Sequence, residues 1–160
     1  VRNLVLISAS GSPRVNEGSP PLAMKLMKNP IGRFLIKRMW SRKMAEDTLI
    51  DMVHDGSLVT DDEIDRMWDF SRYPGSMDAM FREFGMVWDE FTPKEIEKIK
   101  TNTLLIWGEE DTICSVDMGA WYNFHIPNST FIRLPEVGHN PHFESPDVCL
   151  DEITSWLEIH

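Results

Sequence analysis

The chain has 160 residues, 42% apolar and 26% charged, with a net charge of −10 and a pI near 4.9. This is the composition of an ordinary globular protein; it excludes disorder, collagen and coiled coil, and the acidic balance argues against nucleic acid as a partner. The longest apolar runs are four residues, as in Leu4-Val5-Leu6-Ile7, too short to cross a bilayer, and no leader pattern of charged then apolar residues is visible.

In chain order, residues 4–8 read as a buried strand with Gly11 in the turn beyond it. The chain starts almost inside this apolar run, and its first methionine is Met24; we therefore expect the C-terminal piece of a longer protein. Residues 12–21, with Pro13, Gly18, Pro20 and Pro21, read as loop. Residues 22–100 read as several helices. Pro30 and Gly32 separate the first from the second, Gly56 ends a third near His54, and Pro74-Gly75 breaks the chain again. Thr60-Asp61-Asp62-Glu63 and Thr92-Pro93-Lys94-Glu95 have capping-box spacing, the latter with Pro93 at the first helical position, where a missing N–H costs nothing.

Beyond residue 101 the pattern alternates. Residues 103–107 read as a strand followed by the turn Gly108-Glu109-Glu110-Asp111, 115–124 as a helix, and 129–134 as a strand. Ser145-Pro146 caps a last helix through Trp156. Strand, helical block, strand, helix, strand, helix is an α/β pattern with a parallel sheet. The block from 22 to 100 is too long for a simple crossover and reads as a crossover carrying an inserted helical subdomain. Nine of the ten methionines lie there (Met24, Met27, Met39, Met44, Met52, Met67, Met77, Met80 and Met86), with Trp40, Trp68 and Trp88. Most are expected to fill a helical core, and a minority to line a pocket for apolar ligands.

Charge is unevenly spread. Residues 1–43 carry nine Lys/Arg against one acid, and residues 44–160 carry seven against 25. The basic residues Lys25, Lys28, Arg33, Lys37, Arg38, Arg42 and Lys43 are interleaved with apolar ones, a pattern that also suits a membrane-surface helix. An acidic run from Glu46 to Asp69 follows at once, so the preferred reading is a surface helix that meets its acidic neighbour. Cys114 and Cys149 are too few for a disulfide framework and read as small buried residues in a reducing, cytoplasmic setting.

The candidate chemistry rests on Asp111 and His139. Asp111 follows the strand 103–107, and His139 follows the strand 129–134 through Pro135-Glu136-Val137-Gly138. If those strands are parallel neighbours, both loops emerge at one sheet edge, where open α/β sheets bind ligands. A carboxylate there would take the imidazole N–H and make the ring a general base, with Gly138 allowing a sharp turn before it. From spacing alone, a turn carboxylate capping the next helix beside a loop histidine without a task is an equal reading. His139-x-x-His142-x-Glu144 lacks the spacing of a helical zinc motif, and Pro141 interrupts it. No metal or cofactor is expected, and His142-Phe143-Glu144 is expected to pack the loop onto the last helix.

Leu104-Leu105-Ile106-Trp107-Gly108-Glu109-Glu110-Asp111-Thr112-Ile113-Cys114 resembles the acid-bearing strand and turn of the α/β-hydrolase superfamily. Ile126-Pro127-Asn128-Ser129 and the segment from Leu134 to Pro146 resemble its last strand and histidine loop. Leu4-Val5-Leu6-Ile7-Ser8-Ala9-Ser10-Gly11 resembles the strand after the nucleophile-bearing helix. The resemblance implies Asp111 as triad acid and His139 as triad base, in the family's nucleophile–acid–histidine order. It also implies the C-terminal part of the family's parallel sheet, about three strands, with an inserted helical cap: residues 1–12 core strand and turn, 13–100 cap and return helix, 101–160 core.

No Gly-x-Ser-x-Gly occurs, and Ser10, Ser12, Ser57 and Ser76 sit in no strand–Ser–helix elbow. The nucleophile, Ser or, in the dehalogenase and epoxide-hydrolase branches, Asp, is expected upstream, leaving this chain alone inactive. The expected activity is hydrolysis of a small apolar ester or C–C bonded ketone. The rival readings are a noncatalytic ligand-binding relative and a membrane-associated module built on residues 25–43.

Overall fold

The computed structural model of the protein describes residues 1–13, 26, 29–86 and 90–160. Most of the expected loop over 12–21, the first helical piece except Leu26, and Met24, Met27, Lys25, Lys28 and Trp88 lie outside the described residues. The chain divides into two compact units: Val1–Val15, Ile50–Leu58 and Glu90–His160 form one, and Asn16–Leu49 and Val59–Asp89 the other.

The first unit is built on β1 (Asn3–Ile7), β2 (Asn102–Gly108) and β3 (Ser129–Leu134), all parallel and in the order β1-β2-β3. The register sets Leu6 beside Leu105 and Leu105 beside Phe131. Successive side chains of a strand point to opposite faces, and β2 uses both. Leu104 and Ile106 pack with Leu134, Val137, Cys149 and Trp156. Leu105 and Trp107 pack with Ile96, Cys114, Met118, Tyr122 and Ile126. Two helices supply four of these partners: Val116–His125 gives Met118 and Tyr122, and Pro146–Ile159 gives Cys149 and Trp156. A parallel strand covered on both faces reads as a continuous apolar run, which is what Leu104-Leu105-Ile106-Trp107 is.

Close packing sets two details. A Cβ on Gly119 would lie 2.7–2.8 Å from the rings of Phe131 and Trp107, so glycine lets this helix approach the sheet. Tyr122 donates its hydroxyl to the Ser10 carbonyl at 2.6 Å, and burial pushes its phenol up to about 12.

The second unit contains the helices α1 (Pro30–Met39), α2 (Arg42–Asp51, whose last two residues belong to the first unit), α3 (Asp61–Arg72) and α4 (Ser76–Met86). The chain then continues through α5 (Pro93–Ile96), the sheet-covering α6 (Val116–His125), α7 (Pro141–Glu144) and the sheet-covering α8 (Pro146–Ile159). Thr60 caps α3 as its spacing predicts: its hydroxyl accepts from the Glu63 amide at 3.4 Å, and the Glu63 carboxylate accepts from the Thr60 amide at 2.9 Å. At Thr92, the Glu95 carboxylate accepts from the Thr92 amide at 2.8 Å. Gly75, at φ 89°, separates α3 from α4.

Several sequence expectations need correction. Gly32 does not break a helix; it lies inside α1, where a Cβ would sit 2.2 Å from the Leu26 carbonyl oxygen. Its role is close backbone approach. The third helix ends at Asp51, and Gly56 instead opens a short 3-10 turn, Gly56–Leu58. The last helix runs past Trp156 to Ile159. The methionines are only partly core: of those whose burial is described in residues 22–100, Met77 is buried, Met52, Met67 and Met80 are half-buried, and Met39 and Met44 are exposed. Among the described residues, the core of this unit is Ala45, Ile64, Met77 and Phe81. A cavity of about 270 Å³ is lined by Trp40, Trp68, Tyr73, Met77, Lys37 and Arg72, among others.

Described residues of the basic segment pair with acids. Lys37 meets Asp78, Arg42 meets Asp61 and Asp65 at 2.6 Å each, and Lys43 meets Asp47 at 2.8 Å. These pairs are exposed and screened by water, so they add little to stability. Among the described residues no helix is long and apolar enough to cross a membrane.

Leu105→Ala removes a side chain enclosed on β2 and should cost about 2–5 kcal/mol, read by urea unfolding. The raised phenol of Tyr122 makes a second expectation. A group that holds its proton more tightly when folded contributes stability below its unfolded pKa and loses it as pH rises through the folded one. Stability should therefore fall as pH climbs from the ordinary tyrosine range toward about 12, and Tyr122→Phe should lack that part of the decline.

Candidate active site

The C-terminal ends of β2 and β3 carry the two candidate residues. After β2 the chain turns at once: the Glu109 amide donates to the Leu134 carbonyl at 2.9 Å and the Glu110 amide to the Val137 carbonyl at 3.0 Å. The acid turn and the histidine loop are thus bonded to each other before either side chain is considered. A Cβ on Gly108 would lie 2.2 Å from the carbonyl oxygens of Val137 and Gly138, so only glycine fits where the two segments cross.

The Asp111 side chain is wholly buried, and both its oxygens are used. Oδ1 accepts from the amides of Ile113 at 2.9 Å and Cys114 at 2.8 Å. Oδ2 lies 2.9 Å from His139 Nδ1. Buried carboxylates need such partners, and here three donors converge on one. The indole N–H of Trp107 donates to the Cys114 carbonyl at 2.7 Å, tying the far side of the turn to the core.

The two readings left open by spacing therefore coexist: Asp111 organises the turn before α6 and also meets the histidine. With its Nδ1–H directed at the carboxylate, the imidazole keeps Nε2 as its basic nitrogen. The His139 side chain is 21% exposed, which leaves part of the ring open to a reactant.

Gly138 has a different role from the expected one. The left-handed residue in the loop is Glu136, at φ 57°. Gly138 is required by crowding, because its Cβ would sit 2.7 Å from the His54 amide nitrogen and 2.9 Å from the Val53 carbonyl carbon. The segment 51–54, which sequence reading did not connect to the site, reaches it repeatedly. The His139 amide donates to the Met52 carbonyl at 2.9 Å, and Thr112 Oγ1 donates to the Asp51 carbonyl at 3.4 Å.

The expectation for His142-Phe143-Glu144 also changes. His142 and Phe143 are exposed, and Glu144 alone turns into the loop, where its carboxylate accepts from the Gly138 and Asn140 amides. A single signal pointed there: an acid one helical turn beyond Asn140 and just ahead of Ser145-Pro146. Among the described residues no cluster of His, Cys, Asp or Glu could hold a metal ion. Ser8, at φ 44° just past β1, and Ser12 bury hydroxyls that find no hydrogen-bond partner among the described residues.

The three-stranded parallel sheet with its covering helices matches the C-terminal part of an α/β-hydrolase fold. Solved structures share it. A meta-cleavage product hydrolase from Pseudomonas fluorescens IP01 matches with TM-score 0.75 and 19% identity, covering 98% of this chain and 55% of that one. The 2-hydroxy-6-oxo-6-phenylhexa-2,4-dienoate hydrolase of Rhodococcus sp. strain RHA1 matches with TM-score 0.78 and 16% identity, with coverage of 98% and 55%. A thermophilic esterase from Thermogutta terrifontis matches with TM-score 0.70 and 19% identity, with coverage of 98% and 56%. In sequence, the uncharacterized hydrolase YugF of Bacillus subtilis is 29% identical over 129 residues, 81% of this chain and 47% of its own length. The chain thus spans about half the length of the relatives it matches. No protein-family model matches it.

Gly108→Ala should force the acid turn and the histidine loop apart. The expected cost is about 1–3 kcal/mol or more in thermal unfolding. The hydrogen-bonded Nδ1 proton of His139, visible downfield by NMR in the parent, should disappear.

Proposed function

We propose that this chain is the acid–histidine half of an α/β-fold hydrolase whose nucleophile lies upstream of Val1. The observation that carries the reading is the 2.9 Å contact between buried Asp111 Oδ2 and His139 Nδ1 at the C-terminal edge of a parallel sheet. It is supported by the half-length coverage of the hydrolases that share the fold, and by the absence of any Gly-x-Ser-x-Gly in the 160 residues. β1 agrees with it: an apolar strand paired only with β2 among the described residues and half-buried along its length, as a strand awaiting a neighbour would be.

In this reading His139 Nε2 removes a proton from the nucleophile, or from the water that attacks a covalent intermediate, and later returns it to the leaving group. Asp111 holds the ring in the tautomer that leaves Nε2 unprotonated, and its charge stabilises the imidazolium that forms. The oxyanion donors and the nucleophile are placed upstream. The 160 residues alone are then silent, since oxyanion donors by themselves are worth about 10²–10³ in rate. The substrate class is a small apolar ester or C–C bonded ketone, reached without metal or cofactor. The two cysteines, Cys114 and Cys149, are both buried, which suits a reducing, cytoplasmic setting.

The test begins with the genomic sequence upstream of Val1, which should encode a strand–nucleophile–helix elbow. In the full-length protein, His139→Ala should lower kcat for p-nitrophenyl esters or a C–C bonded dienoate about 10⁴-fold or more, with circular dichroism unchanged. Asp111→Asn should cost as much or less. A fall of under about tenfold for His139→Ala would favour a noncatalytic binding protein.

A further inference from the structure

We propose that Glu144 is the positioning residue of the histidine loop: its carboxylate gathers backbone N–H groups from Gly138, Asn140 and His54 and so fixes where His139 stands. The inference rests on the hydrolase reading above for its catalytic consequence, though not for its geometry.

Glu144 Oε2 accepts from the Gly138 amide at 2.8 Å and from the His54 amide at 2.7 Å, and Oε1 accepts from the Asn140 amide at 3.1 Å. The amide between them, that of His139, donates to the Met52 carbonyl at 2.9 Å. Three consecutive N–H groups, 138 to 140, are therefore all committed, two to one side chain and one to residue 52. Glu144 is itself held by the loop it organises, since its own amide and that of Phe143 donate to the Asn140 carbonyl at 2.9 and 2.8 Å. The loop closes on itself through α7.

The third donor comes from elsewhere in the sequence. Residues 50–58 interrupt the helical unit and belong to the α/β unit. The carboxylate bridges this strap to the loop across a gap too narrow for any Cβ at Gly138. Hydrogen bonds to an ionised acceptor are shorter and stronger than neutral ones. The chemistry of the site also selects an anion: all three partners are N–H donors, so a glutamine amide would set its own NH2 against one of them. The hydrogen bonds of the Glu144 carboxylate go to backbone amides, so its effect on the Asp111–His139 pair is carried by the backbone. A displacement of about 1 Å in a catalytic group can cost about 10²-fold in rate.

The test is Glu144→Gln in the full-length protein, with Glu144→Ala beside it, read by kinetics and by amide hydrogen exchange. Gln keeps the size and one acceptor, so it guards against an Ala variant that fails to fold. Glu144→Gln should lower kcat about 10–100-fold with KM nearly unchanged. Exchange should quicken at Gly138, Asn140 and His54 while the β2 amides stay protected. Unchanged exchange at those three amides overturns the clamp. Faster exchange with kcat intact overturns its positioning role. A wild-type protein without turnover, or one indifferent to His139→Ala, removes the hydrolase reading instead. The exchange measurement then still decides whether Glu144 holds the loop.

Discussion

Leu104, Leu105, Ile106 and Trp107 have no measurable exposure, and their strand is hydrogen-bonded along both edges. A strand enclosed this way cannot slip by one residue without turning every side chain to the wrong face. That constraint carries to its C-terminal end, where Gly108 passes against Val137 and Gly138 with no room for a side chain. The positions of Asp111 and His139 thus follow from the burial of four apolar residues that have no chemistry of their own.

Asp111 illustrates how one carboxylate serves structure and chemistry together. Two amides of its own turn and one imidazole nitrogen share its oxygens. Removing the histidine would leave a turn still capped, whereas removing the carboxylate would leave one buried and one part-buried amide and a ring without their acceptor. Buried polar groups are costly when only half satisfied, so the turn and the pair stand or fall as a unit on the side of the acid. Glu144 gives the loop across from it a comparable centre, with three amides on one carboxylate.

The helical unit follows different physics. Its described core is small, and much of its apolar surface is exposed, including Ile31, Phe34, Met39 and Phe70. Its charges pair across the surface, which offers little stability in water but balances the basic residues of α1 and α2 against the acids of α2, α3 and α4. A unit with few buried contacts is free to open locally at low cost. The strap at 50–58 contrasts with it, held by backbone bonds to the histidine loop and the acid turn.

Much of this was legible without coordinates. Short apolar runs marked the strands, Thr60 and Pro93 marked helix starts, and the order of Asp111 and His139 placed both after strands. These signals are local, set by side-chain alternation and by backbone groups within a few residues. The reasons for particular glycines were not legible, because a close approach involves a neighbour remote in sequence: Gly138 answers to Val53 and His54, and Gly108 to Val137 and Gly138. Which methionines would be left exposed, as Met39 and Met44 are, was hidden for a related reason, since composition cannot say which face of a helix finds a partner. The part of Glu144 was hidden too, because a carboxylate that accepts backbone amides leaves no pattern in its partners' side chains. By itself the sequence determined the sheet, its parallel sense and the two residues at its edge, since apolar periodicity and turn chemistry are written residue by residue. Only the tertiary structure brought residues 51–54 and Glu144 to the histidine loop, because a hydrogen bond from a backbone amide to a carboxylate 90 residues away depends on the fold that brings them together.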